Sequence, residues 1–419
     1  MEQAAAKQDQ KTPPVAQHRR RNHPKPLMLH LPLALSTWLS LPIAWPSLSS
    51  SSQRWSSNLP PRLMAMLPPA NDAARDPAAT AKLHRAITDA AIGRSRAFIA
   101  GIRAYQRHPI ARDVPEMPVI WQQGSTKLRD YGFTRAGVPV LVIPSLINRF
   151  DILDLDINHS LLRFLAAHGF RPLVVDWDMP GVAEQNFTLT DYMTQRLLPI
   201  LDFVAAEKPA HILGYCMGGL LALGLAILRP EQTRSLTVMA TPWSFSAGAV
   251  GQEFLTLAEK LEPHIKNWGH LPVDVIQTLF ASFQPTQVMQ KFTRFAGLDA
   301  ASDEARRFVL TEDWLNDGVP LTANVARECL REWYGENRTG KMQWRVADQI
   351  IDPRTLNVPA YVMVPGKDKI VTPESALPLA RLIRGAVLHE PMLGHVGLLA
   401  SAKAPHDVWK PLSQWLERH

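Results

Sequence analysis

The chain has 419 residues, of which 46% are hydrophobic and 20% charged, a composition suited to one large globular domain or two smaller ones. Its only two cysteines, Cys216 and Cys329, exclude a disulfide framework or a CxxC knuckle and fit a reducing, cytoplasmic compartment. The net charge of +7 comes with no recognised nucleic-acid motif, so nucleic acid is not an expected partner; an anionic surface or a polyanionic cofactor such as coenzyme A is compatible with it.

Residues 1–58 read as a tail. Positions 1–26 are polar and basic, carry His18-Arg19-Arg20-Arg21, and are expected to be disordered. Leu27–Leu48 is apolar, but Pro32, Pro42 and Pro46 interrupt it. It is too broken for a spanning helix and lacks a clear cleavage site. Packing on the protein or on a hydrophobic partner is the expectation, with contact to a lipid surface as the rival and a true signal segment as the third reading. Residues 59–117 form a Pro/Ala-rich linker and an N-terminal helical region. Within it, 80–107 reads as a basic amphipathic helix with Ile87, Ala91, Phe98 and Ile102 on one face.

From Pro118 the pattern alternates strand and helix. Val138–Pro144, Arg171–Trp177, His211–Tyr215, Ser235–Ala240, Val358–Val364 and Ala386–Glu390 read as strands. Leu161–Ala167 and Leu220–Leu228 read as helices, as does a run to Ala206 capped by Asp191. A last helix covers about His406–Leu416. Buried apolar strands separated by helices predict an α/β fold with a mostly parallel, doubly wound sheet. Residues 243–345 break the rhythm: they are Trp/Phe/Gln-rich and helical in pattern, and are expected to form an inserted lid. The core then divides into 118–242 and 346–419.

The chemistry centres on His211-Ile212-Leu213-Gly214-Tyr215-Cys216-Met217-Gly218-Gly219. A strand feeds a G-x-C-x-G turn and a helix follows, the setting of a nucleophile elbow. Small neighbours let strand and helix approach, and the helix N-terminus favours the thiolate. The bland alternative is a structural cysteine in a tight turn. A cysteine nucleophile needs a base, and the base an orienting acid. Asp368 follows the strand VPAYVMVP, and His395 follows the last strand. Their order after Cys216 is nucleophile, acid, base, at strand ends where open α/β sheets bind ligands. Alone, Asp368 could be a turn residue and His395 a cap. Asp176 and Asp178 are alternative acids, His389 reads as structural and Cys329 as packing. An oxyanion hole would use the Met217 backbone N–H and one from Ser145, Leu146 or Ile147, with Leu146 and Ile147 preferred. No Asp or His cluster has metal-ligand spacing, and no tightly bound cofactor is expected.

A thiol forms a thioester with an acyl group. Loading it from an acyl-CoA is therefore nearly thermoneutral, and passing the acyl group to a hydroxyl is downhill. Hydrolysis of unactivated esters suits it less.

The stretch Val142-Ile143-Pro144-Ser145-Leu146-Ile147-Asn148-Arg149-Phe150-Asp151-Ile152-Leu153-Asp154-Leu155 resembles "PPLINKYYILDL" of the polyhydroxyalkanoate synthases. Gly214–Gly219 is similar to that family's lipase box with cysteine, and Asp368 and Gly394-His395 fall where its acid and base lie. The resemblance covers roughly 118–240 and 355–400. It implies an α/β-hydrolase core that takes 3-hydroxyacyl-CoA as substrate, releases CoA and associates with polyester granules or a lipid surface. In it His395 activates Cys216 and Asp368 assists, by orienting or by activating the incoming hydroxyl. A homodimer is compatible with it. The chain departs from the family in a shorter N-terminal region, in Pro144-Ser145 for Pro-Pro, and in a lid with Glu312-Asp313-Trp314-Leu315-Asn316-Asp317-Gly318-Val319-Pro320 where the family has "NDLIWNY". The resemblance thus points to acyl transfer from CoA thioesters through Cys216 to a hydroxyl acceptor. A cysteine-triad thioesterase or (poly)ester hydrolase is the rival, and a non-catalytic granule-associated protein a third reading.

Overall fold

Eight strands join into one sheet in this computed structural model, which describes residues 21, 24–50, 77–132, 137–245, 250–283 and 286–419. Most of the tail and linker read from the sequence lies outside those residues. The strands are β1 (Val119–Gln123), β2 (Thr126–Asp130), β3 (Val138–Ile143), β4 (Phe170–Asp176), β5 (Ala210–Tyr215), β6 (Thr233–Met239), β7 (Ala360–Met363) and β8 (Val387–His389). Their spatial order is β1-β2-β4-β3-β5-β6-β7-β8. Strand β2 pairs antiparallel with both neighbours, and the pairs from β4 to β8 are parallel. The loops after β3, β5, β7 and β8, which carry the candidate site residues, therefore leave the same edge of the sheet.

Alternation along the strands fills a core on both faces. Leu141, Ile143 and Ile212 point into one buried cluster, whereas Val140, Val142, Leu213 and Tyr215 point into the other. This is why the strands read as unbroken apolar runs: both faces are covered. The hairpin β1–β2 gave no such signal. Its strands sit at the sheet edge, carry Gln122, Gln123, Lys127 and Arg129, and turn through Gly124 at φ +59°.

The helix expected to start from an Asp191 cap starts one turn earlier. Thr188 is the cap: its side chain accepts the Asp191 N–H at 3.1 Å, and the Asp191 carboxylate accepts the Thr188 N–H at 2.9 Å. Asp191 is thus the third residue of a capping box. The helix is not regular either, because Met193–Leu197 forms a π-helical segment between Leu189–Tyr192 and Leu198–Val204.

Two N-terminal helices, α1 (Leu27–Ser50) and α2 (Pro77–Arg107), lie against the insertion between β6 and β7. That insertion contains helices α4 (Val250–Trp268), α5 (Val273–Phe283), α6 (Gln287–Phe295) and α7 (Asp303–Asn316), numbered after the helix that follows the elbow, α3 (Met217–Leu228). Ala34 of α1 and Phe98, Ile102 and Tyr105 of α2 form a third buried cluster with Phe292 and Phe295 of α6. Packing on the protein is therefore what the first half of the apolar stretch does. No helix among the described residues is long and apolar enough to cross a membrane.

The insertion is also tied to the core by an acid. Glu328 accepts the Leu189 N–H at 2.7 Å. Burial, reinforced by Glu332 and Asp191 and opposed by that N–H and by Arg338, pushes its carboxyl up to about 7. Between the ordinary value of 4.5 and about 7 the folded chain holds a proton that the unfolded chain has released. Stability from this group is therefore full below that window and is lost as pH rises through it. Glu328→Gln keeps an acceptor for Leu189 without the charge. It is expected to stabilise the fold by on the order of 1–2 kcal/mol at pH 8 and to leave it unchanged at acid pH. Thermal melts of both proteins at pH 4.5 and 8 check this; equal midpoints at pH 8 would mean the carboxylate is solvated.

Candidate active site

The turn at Cys216, the candidate nucleophile elbow, is built by steric need. Cys216 sits between β5 and α3 at φ 56° and ψ −127°, a region that costs a residue with a side chain about 1–3 kcal/mol. Its N–H donates to Met239 O at 2.9 Å, which pins it to the end of β6. The flanking glycines have no room for side chains. A Cβ on Gly214 would lie 2.5 Å from Gly218 O, and one on Gly218 would lie 2.1 Å from Ile143 O. Strand β3, the turn and α3 thus close on one another only because those positions are glycine.

The loops after β7 and β8 are zipped together beyond the last strand pairs. Val364 N–H donates to His389 O, Gly366 N–H to Pro391 O and Lys367 N–H to Leu393 O, at 2.8, 2.9 and 2.9 Å. This ladder sets Asp368 beside His395. His395 Nδ1 lies 2.7 Å from Asp368 Oδ2. Asp368 Oδ1 accepts the N–H groups of Ile370 and Val371 at 2.8 and 2.9 Å. The carboxylate is only 1% exposed and its oxygens are all engaged, so its orientation is fixed. Tyr215 donates from its hydroxyl to His395 O at 3.2 Å, holding the histidine from the other side.

With Nδ1 on the carboxylate, the second ring nitrogen is the one left for the hydrogen bond to the Cys216 side chain. Burial works against a charge on His395, but the Cys216 sulfur and the Asp368 carboxylate outweigh it and raise the imidazole to about 10. The imidazole is therefore a strong base placed to hold the proton that the Cys216 side chain gives up when it attacks.

The structure thus brings together Cys216, Asp368 and His395. It does not bring Asp176 or Asp178 to the histidine. Asp176 pairs with Arg129 at 2.8 Å, and Asp178 with Lys127 and Arg149 at 2.9 and 3.2 Å. His389 accepts or donates a 2.7 Å bond with Tyr361 inside the sheet. Met217 is the first residue of α3, where a backbone N–H has no partner within the helix. Ile147 and Ser145 share an apolar cleft with Cys216 and His395. Leu146 turns its buried side chain the other way, towards Trp177 and Val325. The Ile147 N–H faces Ser145 Oγ at 3.4 Å. Among the described residues no group of His, Cys, Asp and Glu could hold a metal ion.

With this geometry in place, the comparisons with known proteins bear on the chain. A family model described as the alpha/beta hydrolase fold matches residues 138–402. The chain belongs to that family. Its similar proteins include the poly(3-hydroxyalkanoate) polymerase subunit PhaC of Haloferax mediterranei, 27% identical over 71% of this chain and 63% of that protein. The subunit of the same name from Haloarcula marismortui is 27% identical over 72% of this chain and 68% of its own length. That of Synechocystis sp. is 26% identical over 67% and 77%. The chain thus spans between 63 and 77% of these relatives.

In this α/β-hydrolase the insertion supplies residues that the sequence pattern did not single out. Phe280 of α5 and Trp333 and Tyr334 line an apolar chamber with Cys216, and Cys329 reaches the same chamber. Trp314 and Leu315 of α7 line the adjoining cleft, where Trp314 Nε1 donates to Arg149 O at 2.7 Å. Cys329 was read as packing. It is buried, and burial holds its thiol well above the ordinary range, so it stays an inert neutral group. For Phe280, Trp333 and Tyr334 the sequence signal was the aromatic richness of 243–345, while Trp314 and Leu315 lie in the lid segment that departs from the resembled family; which of them reach the Cys216 cleft depends on how the insertion folds back.

Proposed function

We propose that the chain is a polyhydroxyalkanoate synthase-like acyltransferase that moves hydroxyacyl groups from CoA thioesters, through an acyl group on Cys216, to a hydroxyl acceptor. The observation that carries it is a cysteine, in hydrogen-bonded line with His395 and Asp368, opening on an apolar chamber. The relatives named above support the same reading.

The Cys216 thiolate attacks the thioester carbonyl carbon. A C–S bond to the enzyme forms, and the Met217 N–H with one from the loop after β3 stabilises the oxyanion. The C–S bond to CoA then breaks, and the departing thiolate takes the proton held on His395. Neutral His395 next removes the proton of the acceptor hydroxyl, which attacks the Cys216 thioester. An oxoester forms, the thiolate returns and the starting state is restored. Asp368 has its oxygens committed to His395, Ile370 and Val371, so it acts by orienting and charge-stabilising His395 rather than as a second base. An apolar chamber favours an organic hydroxyl over water as the acceptor.

The test is to incubate the protein with 3-hydroxybutyryl-CoA, follow free CoA with a thiol reagent and identify the acyl product by mass spectrometry. Oligomeric ester is expected. Monomeric 3-hydroxybutyrate as sole product would move the chain to the thioesterases and ester hydrolases. No CoA release would refute catalysis on this substrate.

A further inference from the structure

The cleft around Cys216 is not the largest hollow in the molecule. A cavity of about 380 Å³, within the range of small-molecule sites, also borders His395 and is lined by none of the elbow residues. The two share a wall: Gln277, Phe280, Leu315, Ile370, His395 and Val396 line both. Gln277 donates to Leu315 O, so α5 and α7 are laced together in that wall. The partition is therefore made of side chains from the insertion and from the two triad loops, one of them the proposed general base.

The outer cavity differs from the inner one in charge. Lys25, Lys291, Lys367 and Lys369 line it, with Glu312 as the acid among the lining residues. Glu312 is neutralised by Lys291 at 2.7 Å. Among the described residues Lys25, Lys367 and Lys369 form no salt bridge, although Glu374 lies within electrostatic reach of Lys369. Two lysines of the loop after β7, Lys367 and Lys369, and Lys25 from the segment before α1 thus meet at one cavity, outside any salt bridge, next to the triad. Lys25 is held there by its own backbone N–H, which donates to Asn316 Oδ1 at 3.0 Å, and Arg21 nearby pairs with Asp313 at 2.9 Å. The segment before α1 is therefore part of the cavity wall.

We infer that this outer cavity receives the phosphate-bearing end of the acyl carrier, with Lys367, Lys369 and Lys25 facing its phosphates and the acyl arm passing the Phe280–Leu315 partition to Cys216. The inference rests on the acyl-CoA reading above and adds to it the place and the charges of nucleotide binding. A lysine is a point-charge phosphate partner, and partly exposed lysines attract a polyanion in a salt-dependent way. The apolar chamber has no charged residue in its lining, and Arg149 in the adjoining cleft is already paired with Asp178 and Asp317, so the two sides divide the substrate between them: charged handle on the lysine side, acyl group within.

The test uses the full chain and two thioesters: 3-hydroxybutyryl-CoA, and 3-hydroxybutyryl-N-acetylcysteamine, which lacks the nucleotide and every phosphate. Lys367→Ala with Lys369→Ala is expected to raise KM for the CoA thioester about tenfold at low salt, a difference that shrinks in about 0.5 M salt. The truncated thioester, which does not reach these lysines, is expected to lose no more than about twofold in kcat/KM. Lys367→Arg with Lys369→Arg restores the CoA thioester, since it keeps the charge. Equal losses on both substrates, or no loss on either, overturn the inference. If the unaltered chain turns over neither thioester, the functional reading fails and calorimetric titration with CoA decides the site. Binding weakened by the double alanine variant keeps it, and binding that is absent or unaffected by the variant overturns it.

Discussion

Cys216→Ala is expected to lower CoA release from 3-hydroxybutyryl-CoA by at least about 1,000-fold, with the fold intact. The thiolate makes the only covalent bond to the acyl group in the proposed sequence, and no neighbouring group replaces it. Cys329 shares the chamber, but burial keeps it a neutral thiol. Alanine is the right probe because it keeps a Cβ at φ 56°, so the strain of the elbow is unchanged. The unfolding midpoint should move by less than about 1 kcal/mol. His395→Gln is expected to lose a similar factor, and the double variant hardly more than either single one, because the two residues act as a unit. Free CoA measured with a thiol reagent, alongside circular dichroism, reads both quantities. Residual release within tenfold of the parent would remove Cys216 from the mechanism.

Gly218→Ala should damage the fold itself. Its Cβ would lie 2.1 Å from Ile143 O and 2.6 Å from Pro144 O, and both are backbone atoms at the end of a central strand. Backbone cannot rotate out of the way as a flexible side chain can. Strand β3 and α3 must separate, which undoes packing on both sides of the sheet. A loss of at least about 3 kcal/mol is expected, with a fall in soluble yield. What remains folded should also be inactive, because the displaced loop after Ile143 carries the candidate oxyanion donors. Gly93→Ala is the control: nothing lies within 4 Å of a Cβ there, the residue is inside α2, and a gain of up to about 1 kcal/mol is expected. Urea unfolding of the three proteins compares them. A Gly218→Ala midpoint equal to the parent's would show that the elbow tolerates more space than its geometry allows.

These two residues also mark how far the sequence carries. The elbow glycines were legible because a strand-to-helix reversal with a side chain at its apex has few solutions, and those solutions need small residues at fixed offsets. The strands β3 to β7 were legible because burial on both faces leaves an apolar run with β-branched residues, and β8, exposed at the other edge of the sheet, because Ala386-Val387-Leu388 is itself apolar. The edge hairpin β1–β2 was not, since polar side chains on an exposed edge look like a loop. Asp191 looked like a helix cap because Asp favours that position; Thr188 takes it instead, and only the reciprocal bonds of the capping box decide between them.

The choice of acid shows the same division. Asp176, Asp178 and Asp368 all lie at or just beyond the ends of strands on one edge of the sheet. Nothing local tells them apart. What separates them is partnership: arginines and a lysine hold the first two, and the zipped loops after β7 and β8 deliver the third to His395. The apolar stretch at Leu27 is a further case. Its composition suits a lipid surface as well as a protein one, and it is α2 and α6 that give its first turns a place to pack.

By itself, then, the sequence determined the six parallel strands, the place where their rhythm breaks and the order of Cys216, Asp368 and His395 at strand ends, since each follows from short-range periodicity or from turn chemistry at fixed spacing. Tertiary structure alone decided which acid meets the histidine, which aromatic side chains enclose Cys216, and that Lys25, Lys367 and Lys369 meet at one cavity. Those depend on contacts between residues far apart in the chain, and such contacts leave no period behind them.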